Sequence, residues 1–283
     1  MSGSLVSVVV PCFEHAPHVE EALRSIAAQR DVELELVVVD DASRDDSVAV
    51  IERVFEDPDF ASAFEGRIRL VRHERNLGAH AALNRGLRES RGEFVTILNS
   101  DDAYEPDRVA ILVEALRATG SGLAMSRIGY VGAGQGASDH ERESFRLRTH
   151  QDGADAYPSL GFACMASNVA VSSGNLLFTR SLLDAVGDFD DLRYCHDWGF
   201  VLRAVVETEP VFVHRRLYRY RLHHTNSYRT LAGVAEAETE FVLRRFFDAI
   251  RSERSLNRLS PSPHHWPGVF EYWMDRLGFW RYW

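Results

Sequence analysis

Two periodicities share the first 120 residues of the chain. Short β-branched runs, Val6 to Val10, Leu36 to Val39, Ile68 to Val71 and Phe94 to Leu98, have the length and composition of buried strands. Between them the apolar positions fall at the helical period. Val19, Ala22, Leu23, Ile26 and Ala27 mark a first helix, followed by helices over 46–56, 79–89 and 106–117, the last opened by Pro106 at a first-turn position. This succession predicts βαβ units and an α/β fold with a mostly parallel sheet.

The pattern weakens after Gly120. Residues 127–155 are rich in Gly, Ser and Arg and too long for an ordinary connection, so a mobile functional loop is expected there. Order is expected again over Ser173 to Phe178, with helices at 180–186 and 197–206, short strands near 211–213 and 216–222, and a helix over 231–250. The tail, His264 to Trp283, spaces Phe270, Trp273, Leu277 and Trp280 nearly helically. Its sparse, mixed charge lacks the basic face of a membrane anchor, so core packing or a homodimer contact is expected. The chain divides into residues 1–118 and 119–227, two halves of one domain, and a helical, aromatic-rich extension, 228–283.

Composition narrows the chemistry. The chain has 283 residues, 45% hydrophobic and 26% charged, with a formal net charge of -10, so no overall field draws it to nucleic acid. Lysine is absent, and all 32 basic residues are arginine. That excludes a Schiff-base lysine, pyridoxal phosphate chemistry and a P-loop, while arginine can still grip phosphate. Three scattered cysteines, Cys12, Cys164 and Cys195, suit neither a disulfide framework nor a cysteine-based zinc site. No stretch has the make-up of a signal peptide or the length of a membrane span. A soluble, cytoplasmic protein is expected, with peripheral contact at the inner face of a membrane left open.

In an open parallel sheet, ligands bind beyond the carboxyl ends of the strands. Three strands here end in polar clusters: Pro11-Cys12-Phe13-Glu14, Asp40-Asp41-Ala42-Ser43 and Asn99-Ser100-Asp101-Asp102. Either acidic pair alone could cap a helix. Two pairs along one edge would repel each other without a cation or a ligand rich in donors nearby, which favours a site.

The ordered set 6–14, 36–43, Arg75-Asn76-Leu77-Gly78, 83–86 and Gly92 to Asp102 resembles the family 2 glycosyltransferases of GT-A fold, over about residues 5–225. The resemblance implies a Rossmann-like sheet flanked by helices and an inverting transfer of sugar from a nucleoside diphosphate donor, UDP first among the nucleotides. It implies that Asp40 accepts from the nucleotide base, with Pro11, Phe13, Glu14, Asn76 and Gly78 around the nucleoside. Asp101 and Asp102 would form the acidic motif, Asp101 at the nucleotide and Asp102 on a Mg2+ or Mn2+ ion. Such an ion offsets the charge on a departing diphosphate.

By the same resemblance, Gly174 and Asn175 would lie under the donor sugar, and Asp197 would be the catalytic base, with His196 and Trp198 at the sugar site. The family usually has Glu where His196 stands. A helix N-terminus should depress the Asp197 pKa and keep it ionised, although a capping role fits the same position. The closing segment Tyr220 to Ser227 would bring His223, or His224 if the register slips by one, to the metal; a solvent-facing pair is the competing reading. The acceptor would be a hydroxyl on a glycan, a lipid-linked sugar or a small molecule. A non-catalytic nucleotide-sugar-binding protein is the rival from another class. A sugar-nucleotide nucleotidyltransferase is a weaker one, since the first turn is not Gly-rich. Gly132 to Ala137 matches a dinucleotide fingerprint, but no apolar helix follows it.

Overall fold

The computed structural model describes residues 4–131, 149–222, 232–252 and 255–283. Its eight strands are β1 (Leu5–Cys12), β2 (Glu33–Asp40), β3 (Ile68–Arg72), β4 (Phe94–Ile97), β5 (Ala103–Tyr104), β6 (Leu123–Val131), β7 (Leu177–Thr179) and β8 (Val211–Arg221). They form one mixed sheet in the order β3-β2-β1-β4-β7-β6-β8-β5. The first four run parallel: β1 pairs with β2 on one side and β4 on the other, and β2 pairs with β3. Beyond β4, β7 is antiparallel to both β4 and β6, and β8 returns parallel to β6.

This order explains where a ligand can bind. The chain winds outward from β1 through β2 to β3, then crosses back to place β4 on the other side of β1. The connections leaving β1 and β4 therefore diverge and open a crevice at their carboxyl ends. The helices that cover the first half match the apolar periodicity: α1 (Val19–Ala27), α2 (Ser47–Phe55), α4 (Ala79–Glu89) and α5 (Arg108–Thr119), with the short α3 (Pro58–Ser62) between α2 and β3. In α1, Glu20 and Glu21 lie in the first turn and Arg24 in the last, complementing the helix dipole. Gly120, in the left-handed region at φ 70°, ends α5.

Several boundaries differ from the sequence reading. Helix α5 starts at Arg108 rather than 106, because the Pro106 carbonyl accepts from Arg30 N at 3.1 Å and Asp107 takes the cap position. The two short strands near 211–222 are one strand, β8, whose register with β6 slips around Arg127. The stretch 173–178 is a tight turn, Ser173–Asn175, leading into β7. Strand β6 went unrecognised because its burial comes from neighbours far away in sequence. Of the expected loop, residues 127–131 belong to β6. The buried Gln151 accepts from Ile128 N at 3.0 Å and donates to the carbonyls of Ser126 and Val169. Residues 132–148 lie outside the described residues.

The second half adds α6 (Leu160–Ala166), α7 (Arg180–Val186), α8 (His196–Glu207), α9 (Ala232–Arg251) and α10 (Val269–Leu277). Ser159 and Thr179 cap α6 and α7 by accepting from Phe162 N and Leu182 N. The aromatic tail packs on the body of the protein, the first of the two uses expected for it. Phe270 and Met274 of α10 and Val242, Phe246 and Phe247 of α9 share one apolar cluster with Phe162, Phe178 and Phe200. Trp273 meets Tyr157 at 4.5 Å between ring centres, and Arg251 lies over the Trp283 ring at 4.3 Å.

Candidate active site

A cleft of about 1000 Å³ opens at the carboxyl ends of β1 and β4. Its lining includes Pro11 near the end of β1, Phe13 and Glu14 after it, Asp41 after β2, Asn76 and Gly78 before α4, and Asn99 to Asp102 after β4. It also includes Asn168, Ser172 and the run Asp191 to Trp198. The structure thus brings together most of the predicted site residues from segments nearly 190 positions apart.

The backbone is bent to make this rim. Glu14 and Ala42 have positive φ, 54° and 62°, outside the usual range for residues with side chains. Glu14 N donates to Ser43 Oγ at 3.0 Å, tying the turn after β1 to the turn after β2. Asp41 organises the neighbouring loop: its carboxylate accepts from Leu77 N at 2.9 Å, Gly78 N at 2.8 Å and His73 Nδ1 at 2.7 Å. Gly78 itself holds φ 93° at the start of α4.

Asp40, expected to meet the nucleotide base, does not line the cleft. It is buried as the last residue of β2, with Oδ2 accepting from Ser43 N at 3.2 Å and Oδ1 without a hydrogen-bond partner among the described residues. Its neighbour Asp41 is among the residues that line the cleft.

Asp102, expected to hold the metal, is buried with both oxygens engaged inside the protein. Oδ2 accepts from the Tyr218 hydroxyl at 2.5 Å and Oδ1 from Arg221 N at 2.7 Å. Burial, reinforced by the charge of Asp101, pushes its carboxyl well above the ordinary range. Asp101 lies at the cleft wall with its carboxylate 3.9 Å from His15 Nε2, and the other ring nitrogen of His15 is 2.8 Å from Ser100 Oγ. Among the described residues, no group of three or more His, Cys, Asp or Glu is placed to hold a metal unaided. A hard cation completed by phosphate oxygens and water needs only one or two carboxylates, and the adjacent Asp101 and Asp102 fit that donor set. His223 and His224 lie outside the described residues.

Gly174 and Asn175, expected under a donor sugar, are framework residues. The fully buried Asn175 accepts from Ser126 N and Oγ and from Arg108, and donates to the carbonyls of Ser126 and Ala170. Every polar atom of its side chain is thereby used. Gly174 makes room for Tyr218: a Cβ there would lie 1.9 Å from the Tyr218 hydroxyl.

Asp197 is the second residue of α8, whose cap position is Cys195, so Asp197 does not cap the helix. Its carboxylate accepts from Trp198 N at 2.7 Å and Asn168 Nδ2 at 3.0 Å. Burial raises its pKa, against the expected depression, since taking the charge out of water outweighs the helix terminus, His196 and two hydrogen-bond donors. His196 lines the cleft with Nδ1 lacking a partner among the described residues, and burial lowers its pKa. Trp198 is a wall residue whose indole N–H donates to the Cys164 carbonyl at 2.7 Å.

Sequence reasoning did not single out Asn168, His80 and Asp191, which line the cleft. His80 Nε2 meets Asp191 Oδ1 at 2.9 Å across the cleft mouth. These three carry no local signal in the sequence.

Comparison with known proteins agrees with this geometry. The chain is 34% identical over 126 residues to "Succinoglycan biosynthesis protein ExoO" of Rhizobium meliloti (strain 1021), covering 44% of this chain and about a third, 34%, of that protein's length. Among solved structures, S. aureus TarS residues 1–349 in complex with UDP-GlcNAc superposes with a TM-score of 0.65 at 20% identity, over 87% of this chain and 66% of that one. Mannosyltransferase PcManGT from Pyrobaculum calidifontis, in complex with GDP-Man and Mn2+, superposes with a TM-score of 0.60 at 19% identity, over 90% and 76%. At these identities the likeness establishes the GT-A fold alone. The sequence profile "Glycosyl transferase family 2" matches residues 7–185, which is more than half of the chain. With that match, and with the acidic turns of β2 and β4 opening on one cleft at the switch point of the sheet, the chain belongs to glycosyl transferase family 2.

Proposed function

We propose that this protein transfers a sugar from a nucleoside diphosphate donor, UDP first among the nucleotides, to a hydroxyl acceptor with inversion at the anomeric carbon. The single observation that carries the reading is that Asp101, from the turn after β4, and Asp197, from the start of α8, line one cleft at the switch point. The first suits a nucleotide and its diphosphate, and the second presents a carboxylate to an incoming hydroxyl. The solved relatives bound to UDP-GlcNAc and to GDP-Man with Mn2+ support the same donor class.

The roles follow from the geometry. Phe13 and Leu77 are exposed apolar groups on the nucleotide wall, where a base can stack or pack. Asp101 would hold a Mg2+ or Mn2+ ion, with Asp102 behind it fixed by Tyr218 and Arg221. When bound, that ion neutralises charge on the departing diphosphate. Asp197 accepts the acceptor hydroxyl proton as the oxygen attacks the anomeric carbon and the bond from that carbon to the diphosphate breaks. Its raised pKa makes it a stronger base than an exposed carboxylate. A single base facing the acceptor suits one displacement and therefore inversion.

The name of the succinoglycan relative supports an acceptor in polysaccharide synthesis. Among the described residues, no helix is long and apolar enough to cross a membrane. The test is calorimetric titration with UDP, GDP and dTDP, each with Mn2+ and with EDTA, followed by UDP release from UDP-sugars. Metal-dependent binding of one nucleotide with turnover is expected. Binding without turnover, donor hydrolysis included, would favour a non-catalytic nucleotide-sugar-binding protein. No binding by folded protein would overturn the reading.

A further inference from the structure

The loop that leads into Asp197 is held from outside the part of the chain that matches the family. Glu238, in the second turn of α9, accepts from three successive backbone amides. Its Oε1 takes Arg193 N at 2.9 Å, and its Oε2 takes Tyr194 N at 2.7 Å and Cys195 N at 2.9 Å. Cys195 is the cap residue of α8, and no side chain of its own segment caps that helix. A carboxylate receiving the cap amide is the arrangement of a capping box, here supplied by another helix some 40 residues away. The neighbouring Thr239 hydroxyl lies 3.7 Å from Cys195 Sγ and lines the cleft.

The same helix fixes the rest of the loop. Four residues after Glu238, and so on the same face of α9, Val242 packs against α8 where Gly199 has no side chain; a Cβ there would lie 3.1 Å from Val242. Further along, Arg245 holds Asp190 at 2.5 Å, and Arg203 of α8 grips the same carboxylate. The segment 190–195 is thus pinned at both ends to α9. Glu238 is the pin nearest Asp197, and its carboxylate touches no other side chain by hydrogen bond or ion pair among those described.

We propose that Glu238 is a positioning residue for the transfer reaction: it sets the backbone of 193–195 so that Asp197 meets the acceptor, which makes α9 part of the catalytic apparatus. The proposal rests on the reading of Asp197 as the base. A carboxylate offers acceptors to all three amides. Glutamine keeps one oxygen and turns an N–H2 group towards N–H donors, so the loop must move. Displacing a catalytic group by about an ångström costs on the order of a hundredfold in rate without touching the nucleotide wall.

The test uses the full chain with Glu238→Gln, Glu238→Asp and, as a control, Glu240→Gln, which alters an exposed glutamate paired with Arg244 on the same helix. Three quantities are measured: UDP affinity with Mn2+ by calorimetry, UDP release from UDP-glucose and UDP-GlcNAc with water as acceptor, and amide hydrogen exchange over 193–197. In Glu238→Gln the expected result is nucleotide affinity within about twofold of wild type, kcat down tenfold or more at unchanged donor KM, and faster exchange confined to 193–197. Glu238→Asp should recover part of the rate, and Glu240→Gln should match wild type. An unchanged kcat, a donor KM or UDP affinity that shifts along with kcat, or an equal loss in Glu240→Gln would overturn the proposal. If wild type binds UDP but hydrolyses neither sugar, the functional reading fails at that point, and Glu238 is judged by exchange alone: unchanged protection over 193–195 overturns its role, and a local loss supports it.

Discussion

The Tyr218 hydroxyl donates to Asp102 across 116 positions of sequence, and its ring fills the space that a side chain at residue 174 would occupy. Behind the ring, the fully buried guanidinium of Arg108 lies 4.4 Å from the centre of the Tyr104 ring and 5.5 Å from that of Tyr218, and reaches Asn175. One buried network therefore joins the acidic turn after β4 to the turn before β7 and to the middle of β6. A buried network of this kind is costly to leave half-satisfied. Tyr218→Phe should lower the unfolding free energy by about 1–3 kcal/mol, read by denaturant titration. Gly174→Ala should cost a similar amount through overpacking and should also weaken metal-dependent UDP binding.

The two carboxylates of the acidic turn should separate by phenotype. Asp101→Ala is expected to remove the Mn2+ dependence of UDP binding while leaving the denaturation midpoint within about 0.5 kcal/mol of wild type. Asp102→Ala should lower stability by about 1–3 kcal/mol, because it strands the Tyr218 hydroxyl and the Arg221 amide. Calorimetry with and without EDTA, beside denaturant melts, distinguishes the two. Reversed phenotypes would return the metal to Asp102.

Asp197→Asn should leave UDP affinity unchanged and reduce turnover by roughly 10²–10⁴-fold. Because burial raises the folded pKa of Asp197, activity should rise with pH along a limb displaced upward from the ordinary carboxylate range. The stability term has the opposite sense. Between the unfolded pKa and the raised folded pKa, the folded state binds more protons. Stability therefore falls as pH rises through that window, and the penalty is complete above the folded pKa. Relative to wild type, Asp197→Asn should gain stability towards neutral pH and lose that gain as pH falls to the ordinary carboxylate range. Melts over a pH series check the sign.

Phe13→Ala should weaken UDP binding by about 1–3 kcal/mol if the base stacks on the exposed ring, with little effect on folding. Titration with UDP and with inorganic pyrophosphate separates the contributions: the loss should appear for the nucleotide alone.

The sequence alone determined the class of the fold and the edge on which the cleft opens. Val6 to Val10, Leu36 to Val39 and Phe94 to Leu98 are buried on both faces, so they read as continuous apolar runs, and the polar turns that end them mark the carboxyl edge without any knowledge of pairing. That a site lies near Phe13, Asn76, Asp101 and Asp197 followed from ordered motifs, each of which is local in the chain. Tertiary structure decided how each acidic residue is held, because the partners of Asp41 in the loop before α4 and of Asp102 on β8 lie far away in sequence. It also placed Asn175 and Gly174 in the framework, since a buried amide satisfied by Ser126, Ala170 and Arg108 looks in sequence like any polar residue beside a site. The balance at Asp197 was decided there too. The helix terminus that should favour its charge is visible in the sequence, whereas the burial that outweighs it is the sum of many distant neighbours. Glu238 was legible nowhere in the chain: its three partners lie more than 40 positions away and are backbone amides, which every residue but proline possesses.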